Sequence, residues 1–162
     1  FHGGFIGVVI AVIYSSKSSK IPLMIFSDLV SIVSPIGIFF GRIANFINGE
    51  LIGKATNASW GIIFPLVDQV PRHPSQLYEA LLEGMVLFIL MNLIVMKKNY
   101  KIGLCSSMFL IFYGLLRLIS EFFREPHAQI GYLFNLASTG TILSVVMFLV
   151  GITLYLIRKN EI

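Results

Sequence analysis

Charge is scarce in this chain: Asp, Glu, Lys and Arg together make only 12% of its 162 residues. Soluble domains carry about a quarter, so a water-facing globule is excluded. Cysteine is scarcer still, with Cys105 as the single example. One thiol forms no internal disulfide, and with three scattered histidines it supplies no metal-ligand set. No internal repeat and no low-complexity tract can be read. Repeat arrays are thereby excluded, and a small transporter built from repeated halves loses its pattern. What the chain has instead is apolar: 56% hydrophobic residues and a mean hydropathy of +0.86. The composition is that of a polytopic membrane protein, and the length suits one bundle spanning residues 1–162.

Five apolar stretches are separated by short polar breaks. The first, Phe1 to about Tyr14, makes only about 21 Å of helix against a hydrocarbon core of ~30 Å. It reads as the remnant of a longer span, so an N-terminal truncation is expected. The others run over about Leu23–Ile47, Leu77–Met96, Leu104–Phe123 and Leu133–Ile157. Each of these is long enough to span, and helices satisfy their own backbone groups in lipid. The expected fold is therefore an all-α, polytopic transmembrane helical bundle of about five membrane segments.

Loop charge orients the bundle. Lys17 and Lys20, then Lys97, Lys98 and Lys101, then Arg158 and Lys159 follow alternate stretches. The positive-inside rule makes those breaks cytoplasmic. The net charge of +4 and the pI near 9.3 thus report topology, and no nucleic-acid partner is expected. The opposite, extracytoplasmic side receives Phe1–Gly4, a long loop or arm over about 48–76, and the Arg124–Tyr132 loop. Trp60, Phe64 and Pro65 suggest that the arm lies on the membrane surface.

Polar residues gather on that side. Arg42 lies in PIGIFFGRIANFINGE and Arg117 in MFLIFYGLLRLISEFFRE, both inside apolar runs. An arginine at mid-bilayer costs roughly 2.5–3.5 kcal/mol on insertion scales, so each needs a polar interior and an anion to meet. Tyr113, Arg117, Glu121 and Arg124 fall along one helical stripe, and Asn45 sits one turn from Arg42. His2-Gly3-Gly4 opens the first stretch and RHPSQLYE opens the third. From the residues alone, two readings stand beside a site. Arg117 and Glu121 make an i,i+4 pair that ties helices together, and Arg42 snorkels to the headgroups. His73 and His127 read as structural or solvent-facing, and Cys105 as a small apolar residue distant from the arginines.

The strings GRIANFINGELIGKAT, RHPSQLYEALLEG and RLISEFFREPHAQIG, preceded by HGGF, resemble bacterial prolipoprotein diacylglyceryl transferase over essentially the whole chain. Two positions depart from the family pattern: Ala44 stands where glycine is expected, and His127 where aspartate is expected. The resemblance implies an inner-membrane enzyme with about two further spans upstream. Its reaction moves the diacylglyceryl group of phosphatidylglycerol to the lipobox cysteine thiol of a preprolipoprotein, forming a thioether and releasing glycerol phosphate. By motif, Arg42 matches the lipid-binding arginine and Arg117 a second essential arginine. Asn45, Asn48, Glu50, Gly53, Tyr113, Glu121 and Arg124 match substrate-binding or supporting positions. His2 is the candidate base for the thiol, which is only a few per cent ionised at neutral pH. No cofactor and no metal is expected. The competing expectation is a non-catalytic or degenerate membrane fragment that binds anionic lipid.

Overall fold

In the computed structural model, which describes residues 2–96, 101–125, 132–133 and 137–160, the apolar runs are helices. They are α1 (His2–Ser19), α2 (Leu23–Ile47), α3 (Ser75–Glu79), α4 (Leu87–Val95), α5 (Leu104–Glu121) and α6 (Thr139–Asn160). A π-helical segment, Ala80–Val86, joins α3 to α4 into one rod. Among the described residues, four helices are long and apolar enough to cross a membrane: Leu23–Ile47, Ser75–Val95, Leu104–Glu121 and Thr139–Ile157. The apolar part of α1, Ile6–Ser19, is shorter. The chain is a multi-pass helical membrane protein. Its strands are limited, among the described residues, to two short antiparallel pairs: β1 (Ile62–Ile63) with β2 (Pro71–Arg72), and β3 (Tyr132–Leu133) with β4 (Ala137–Ser138). The fifth stretch consequently starts later than hydropathy alone predicts. Tyr132–Leu133 is apolar but turns back on Ala137–Ser138, and α6 begins only at Thr139.

Burial is inverted relative to a water-soluble protein. Val33, Phe40, Leu93 and Leu149 are more than half exposed, on surfaces that lipid would cover. Fully buried side chains include Gln76, Glu79, Glu83, Ser107, Ser120 and Ser144. An apolar core of Leu87, Met91, Ile94 and Cys105 fills the other end of the bundle. Serines on the helices return their hydroxyl protons to carbonyls one turn back, as Ser31 does to Ser27 at 2.8 Å and Ser34 to Val30 at 2.7 Å. Such bonds satisfy these hydroxyls where lipid offers no partner.

That apolar end is fastened by a carboxylate. Asp28, buried in α2, accepts hydrogen bonds from the Gly103 N–H (2.6 Å), the Ser106 N–H (2.8 Å) and the Ser106 hydroxyl (2.6 Å). It therefore caps the N-terminus of α5 from a neighbouring helix, where unpaired N–H groups and the helix dipole favour an anion. Gly103 takes φ 89°, a conformation that suits glycine and lets α5 start abruptly.

The π segment determines what the third rod presents inward. Its buried positions Ser75, Glu79, Glu83, Leu87 and Met91 recur every four residues. In an α-helix that spacing drifts about 40° per step, which would walk the stripe off the interior. The wider π turn takes up the drift and keeps both glutamates facing the bundle. Gly84 in this segment lets α2 approach: a Cβ there would lie 2.6 Å from Phe39 Cβ and 2.8 Å from Phe39 Cα. Gly84→Ala is expected to push α2 outward at a cost of about 1–3 kcal/mol. A lowered unfolding temperature in detergent is the expected readout, and an unchanged one would show that the contact is slack.

Candidate active site at one end of the bundle

The end opposite Asp28 collects the charges. Arg42 lies in the last turns of α2, Glu79 and Glu83 in the first turns of the third rod, and Arg117 and Glu121 in the last turns of α5. Antiparallel packing brings all five to one level, with Arg124 just beyond α5. Glu79 and Glu83 have no exposed surface, and Arg117 and Arg124 are each 8% exposed. Charges this deep require partners.

Among the described residues the partners are shared. Glu79 Oε2 lies 2.9 Å from Arg42 Nε and 3.1 Å from Arg117 Nη1. Both approaches are too oblique to be hydrogen bonds. Glu79 Oε1 faces Arg124 Nη1 at 3.4 Å. Glu83 Oε2 accepts from Arg42 Nη2 at 3.2 Å, while its Oε1 accepts from Arg117 Nη1 at 3.1 Å and from the Ser120 hydroxyl at 2.6 Å. Arg117 Nη2 reaches Glu121 Oε2 at 2.9 Å, and Glu121 Oε1 accepts from the Ser138 hydroxyl at 2.6 Å. Each of the two carboxylates thus bridges Arg42 and Arg117, which come from different helices. Among the described residues, no ion pair or hydrogen bond engages Arg42 Nη1 or Arg117 Nε. Burial pulls the Arg124 guanidinium below the usual arginine value, and Glu79 acts in the opposite direction.

The arm over residues 48–76 is folded against this end. Gln76 Nε2 donates to the Glu50 carbonyl at 2.6 Å, and the Ser75 hydroxyl donates to the Leu51 carbonyl at 3.2 Å. Lys54 N–H donates to the Phe123 carbonyl and His73 N–H to the Lys54 carbonyl, each at 2.9 Å. Gly53 is pinched between those two partners: a Cβ would collide with the His73 carbonyl oxygen and lie 2.8 Å from that of Phe123. Leu51 holds φ 55°, a left-handed conformation that a branched residue adopts only under constraint. The hairpin is clasped by Arg72, whose Nη2 lies 2.6 Å from Asp68 Oδ2. That guanidinium and the Val70 N–H hold the Asp68 carboxyl below the usual carboxylate range. The clasp is therefore closed at neutral pH and opens only as acid protonates Asp68.

The sequence-predicted residues divide accordingly. Arg42, Arg117, Glu121 and Arg124 meet in one network. Arg42 does not snorkel: its side chain is 16% exposed and held by two carboxylates. The i,i+4 pair of Arg117 with Glu121 is made, as one contact of several. Tyr113 stacks on Phe109 one turn before Arg117, with ring centroids 5.6 Å apart. Asn45 is half-buried on the α2 turn that carries Arg42, while Asn48 and Glu50 are exposed where α2 ends. His2 opens α1, but its side chain, like the whole of His127, lies outside the described residues. His73 packs against Phe123 at 5.3 Å and faces the Tyr78 hydroxyl at 3.3 Å, a structural position. One expectation is corrected. Phe64 does not lie on a membrane surface; it is 6% exposed and sits edge-on to Phe46 of α2 at 6.1 Å. Trp60 remains exposed, its indole N–H donating to the Tyr78 hydroxyl at 2.9 Å. Sequence reasoning missed Glu79 and Glu83, although two carboxylates four residues apart in an apolar run raise the same question as the arginines.

Comparison with known proteins gives a consistent result. The prolipoprotein diacylglyceryl transferase family matches residues 1–157. A phosphatidylglycerol–prolipoprotein diacylglyceryl transferase of Rickettsia bellii (strain OSU 85-389) is 53% identical over 163 residues, covering 99% of this chain and 61% of that protein. Similarly named proteins of Geobacter sulfurreducens and Rhodospirillum rubrum are each 48% identical, over 95% and 99% of this chain and 59% and 60% of their own lengths. The chain therefore spans about 60% of the curated relatives it matches.

Proposed function

This chain belongs to the prolipoprotein diacylglyceryl transferase family, and on that premise we propose that its buried arginine cluster acts on phosphatidylglycerol. The reaction is transfer of the diacylglyceryl group to the lipobox cysteine thiol of a preprolipoprotein. The observation that carries this reading is the pair Arg42 and Arg117, set side by side on shared carboxylates inside an apolar bundle. The thiol sulfur attacks the glyceryl carbon that bears the phosphate. A C–S bond forms, the C–O bond breaks, and its electron pair goes to the phosphate oxygen of the departing glycerol phosphate. The thiol proton passes to a base, for which His2 is the candidate.

The chemistry needs a cation where that charge develops. A guanidinium matches a phosphate with paired donors, and bonds to charged groups are about twice as strong as neutral ones. Arg42 Nη1 and Arg117 Nε, unengaged among the described residues, are the donors available for it. In a site screened from water such stabilisation is often the largest catalytic term. Asn45, Asn48, Glu50, Gly53, Tyr113, Glu121 and Arg124 then serve the same site, the first four from the α2 end and the adjoining arm. The protein sits in the bacterial inner membrane as a multi-pass protein, with this end toward the extracytoplasmic leaflet and Lys17, Lys20 and Lys101 toward the cytoplasm. It uses no cofactor.

A peptide bearing a lipobox cysteine, incubated with the protein in phosphatidylglycerol vesicles, is expected to gain the mass of one diacylglyceryl group. A peptide with serine in place of the cysteine is expected to gain none. No adduct under conditions where a relative produces one would overturn the proposal. A specific observation favours one rival: every arginine in the cluster already has a carboxylate, as in a cluster that only fastens helices or holds anionic lipid. Lysine substitution at Arg42 separates the two.

A further inference from the structure

We infer that Glu79 and Glu83 are positioning residues, which set the spacing and orientation of Arg42 and Arg117 for an anionic headgroup and do so at the expense of affinity for it. This rests on the proposed lipid reaction for its meaning, but its electrostatic part stands on the geometry alone.

Two guanidinium groups repel each other and would not hold neighbouring positions unaided. Here each of two carboxylates, on successive turns of one rod, spans the same pair of arginines. Four contacts of 2.9–3.2 Å fix Arg42 against Arg117. Fastening α2 to α5 would need only one bridge. The doubled bridge fixes an angle as well as a distance: residues four apart share a helix face, and the π-helical segment Ala80–Val86 follows directly on Glu79 and contains Glu83. π segments of this kind occur often at functional sites. Ser120 holds Glu83 in turn, through its hydroxyl at 2.6 Å.

The arrangement has an electrostatic consequence. Arg42, Arg117 and Arg124 meet Glu79, Glu83 and Glu121, three formal positive charges against three negative. Among the described residues a lipid phosphate thus meets a cluster of no net formal charge and is held by directed donors more than by bulk attraction. Weak ground-state binding with well-aimed donors is the combination that favours the transition state over the substrate. Neutralising either glutamate by Glu→Gln, which keeps the shape, frees one positive charge. Anionic lipid should then bind more tightly while turnover falls. A purely structural role would lower the active fraction and leave KM unchanged.

The experiment measures kcat and KM for phosphatidylglycerol, and separately the Kd for phosphatidylglycerol against phosphatidylethanolamine, in the wild type, Glu79→Gln and Glu83→Gln. Only the monodisperse fraction of each is used. The expected result is a kcat lowered about ten-fold or more, the scale of one misaligned charge-assisted contact, with KM and Kd for the anionic lipid lowered and the zwitterionic lipid unaffected. Wild-type kcat, or a KM that rises, would overturn the inference. If the Gln variants do not fold, Glu79→Asp and Glu83→Asp decide: they keep the charge but retract it by one methylene, so kcat should fall while the unfolding temperature stays at the wild-type value. Wild-type kcat, or a fall in kcat that only tracks lost stability, would contradict the inference. An inactive wild type would refute the transferase reading. The Kd comparison would still decide this one, since unchanged anion affinity in both Gln variants overturns it.

Discussion

Replacing Arg117 by leucine is expected to unfold the protein, not merely to silence it. The guanidinium touches Glu79, Glu83 and Glu121 at once, and it is 8% exposed. Its removal strands Glu79 and Glu83 with one cation fewer in a place that water does not reach. Breaking a buried pair by deleting one partner costs about 3–5 kcal/mol, a large share of the roughly 5–15 kcal/mol that holds a typical fold together. Arg117→Lys should fare better without restoring the wild type, because one compact ammonium lacks the two separated nitrogens with which Arg117 reaches Glu79 and Glu83 through Nη1 and Glu121 through Nη2. The check is thermal unfolding in detergent, with the yield of monodisperse protein as a second readout. A leucine variant that melts like the wild type would show that the carboxylates find other partners.

Arg42→Lys should do the opposite, sparing the fold and abolishing most turnover. Arg42 is the more exposed of the two, and its contacts to Glu79 and Glu83 use Nε and Nη2. A lysine ammonium can meet one of those carboxylates but keeps no second prong for a phosphate. Loss of a charge-assisted contact of about 2–3 kcal/mol corresponds to a fall of about 30- to 150-fold in kcat/KM. Normal turnover would return Arg42 to the role of helix fastener, which the ion pairs to Glu79 and Glu83 also permit.

The sequence exposed the half of this cluster that breaks the strongest local rule. An arginine in an apolar run is conspicuous because it never loses its charge, and Arg42 and Arg117 were legible for that reason. Glu121 and Arg124 followed from helical spacing. Glu79 and Glu83 are less conspicuous: they sit in RHPSQLYEALLEG beside good helix formers, where a glutamate is itself a common helix residue. The π segment was not legible at all, since nothing in ALLEGMV marks a widened turn before its packing against Phe39 is known. Asp28 escapes notice because its partners, two backbone N–H groups and the Ser106 hydroxyl, lie 75 residues or more away. Phe64 was misplaced for a related reason. Aromatic residues favour both the interface and the core, and only the fold of the arm onto α2 selects the core. The spans themselves were legible to within a few residues, except where Tyr132–Leu133 forms a strand.

The central claim is that a lipid phosphate meets the arginine pair. Phosphorus–nitrogen dipolar recoupling in phosphatidylglycerol vesicles, with arginine labelled at its guanidinium nitrogens, tests it most directly. The wild type should show a coupling between the headgroup phosphorus and an arginine side chain, and Arg42→Lys should lose most of it. A spectrum without that coupling, or one that Arg42→Lys leaves intact, would contradict the account.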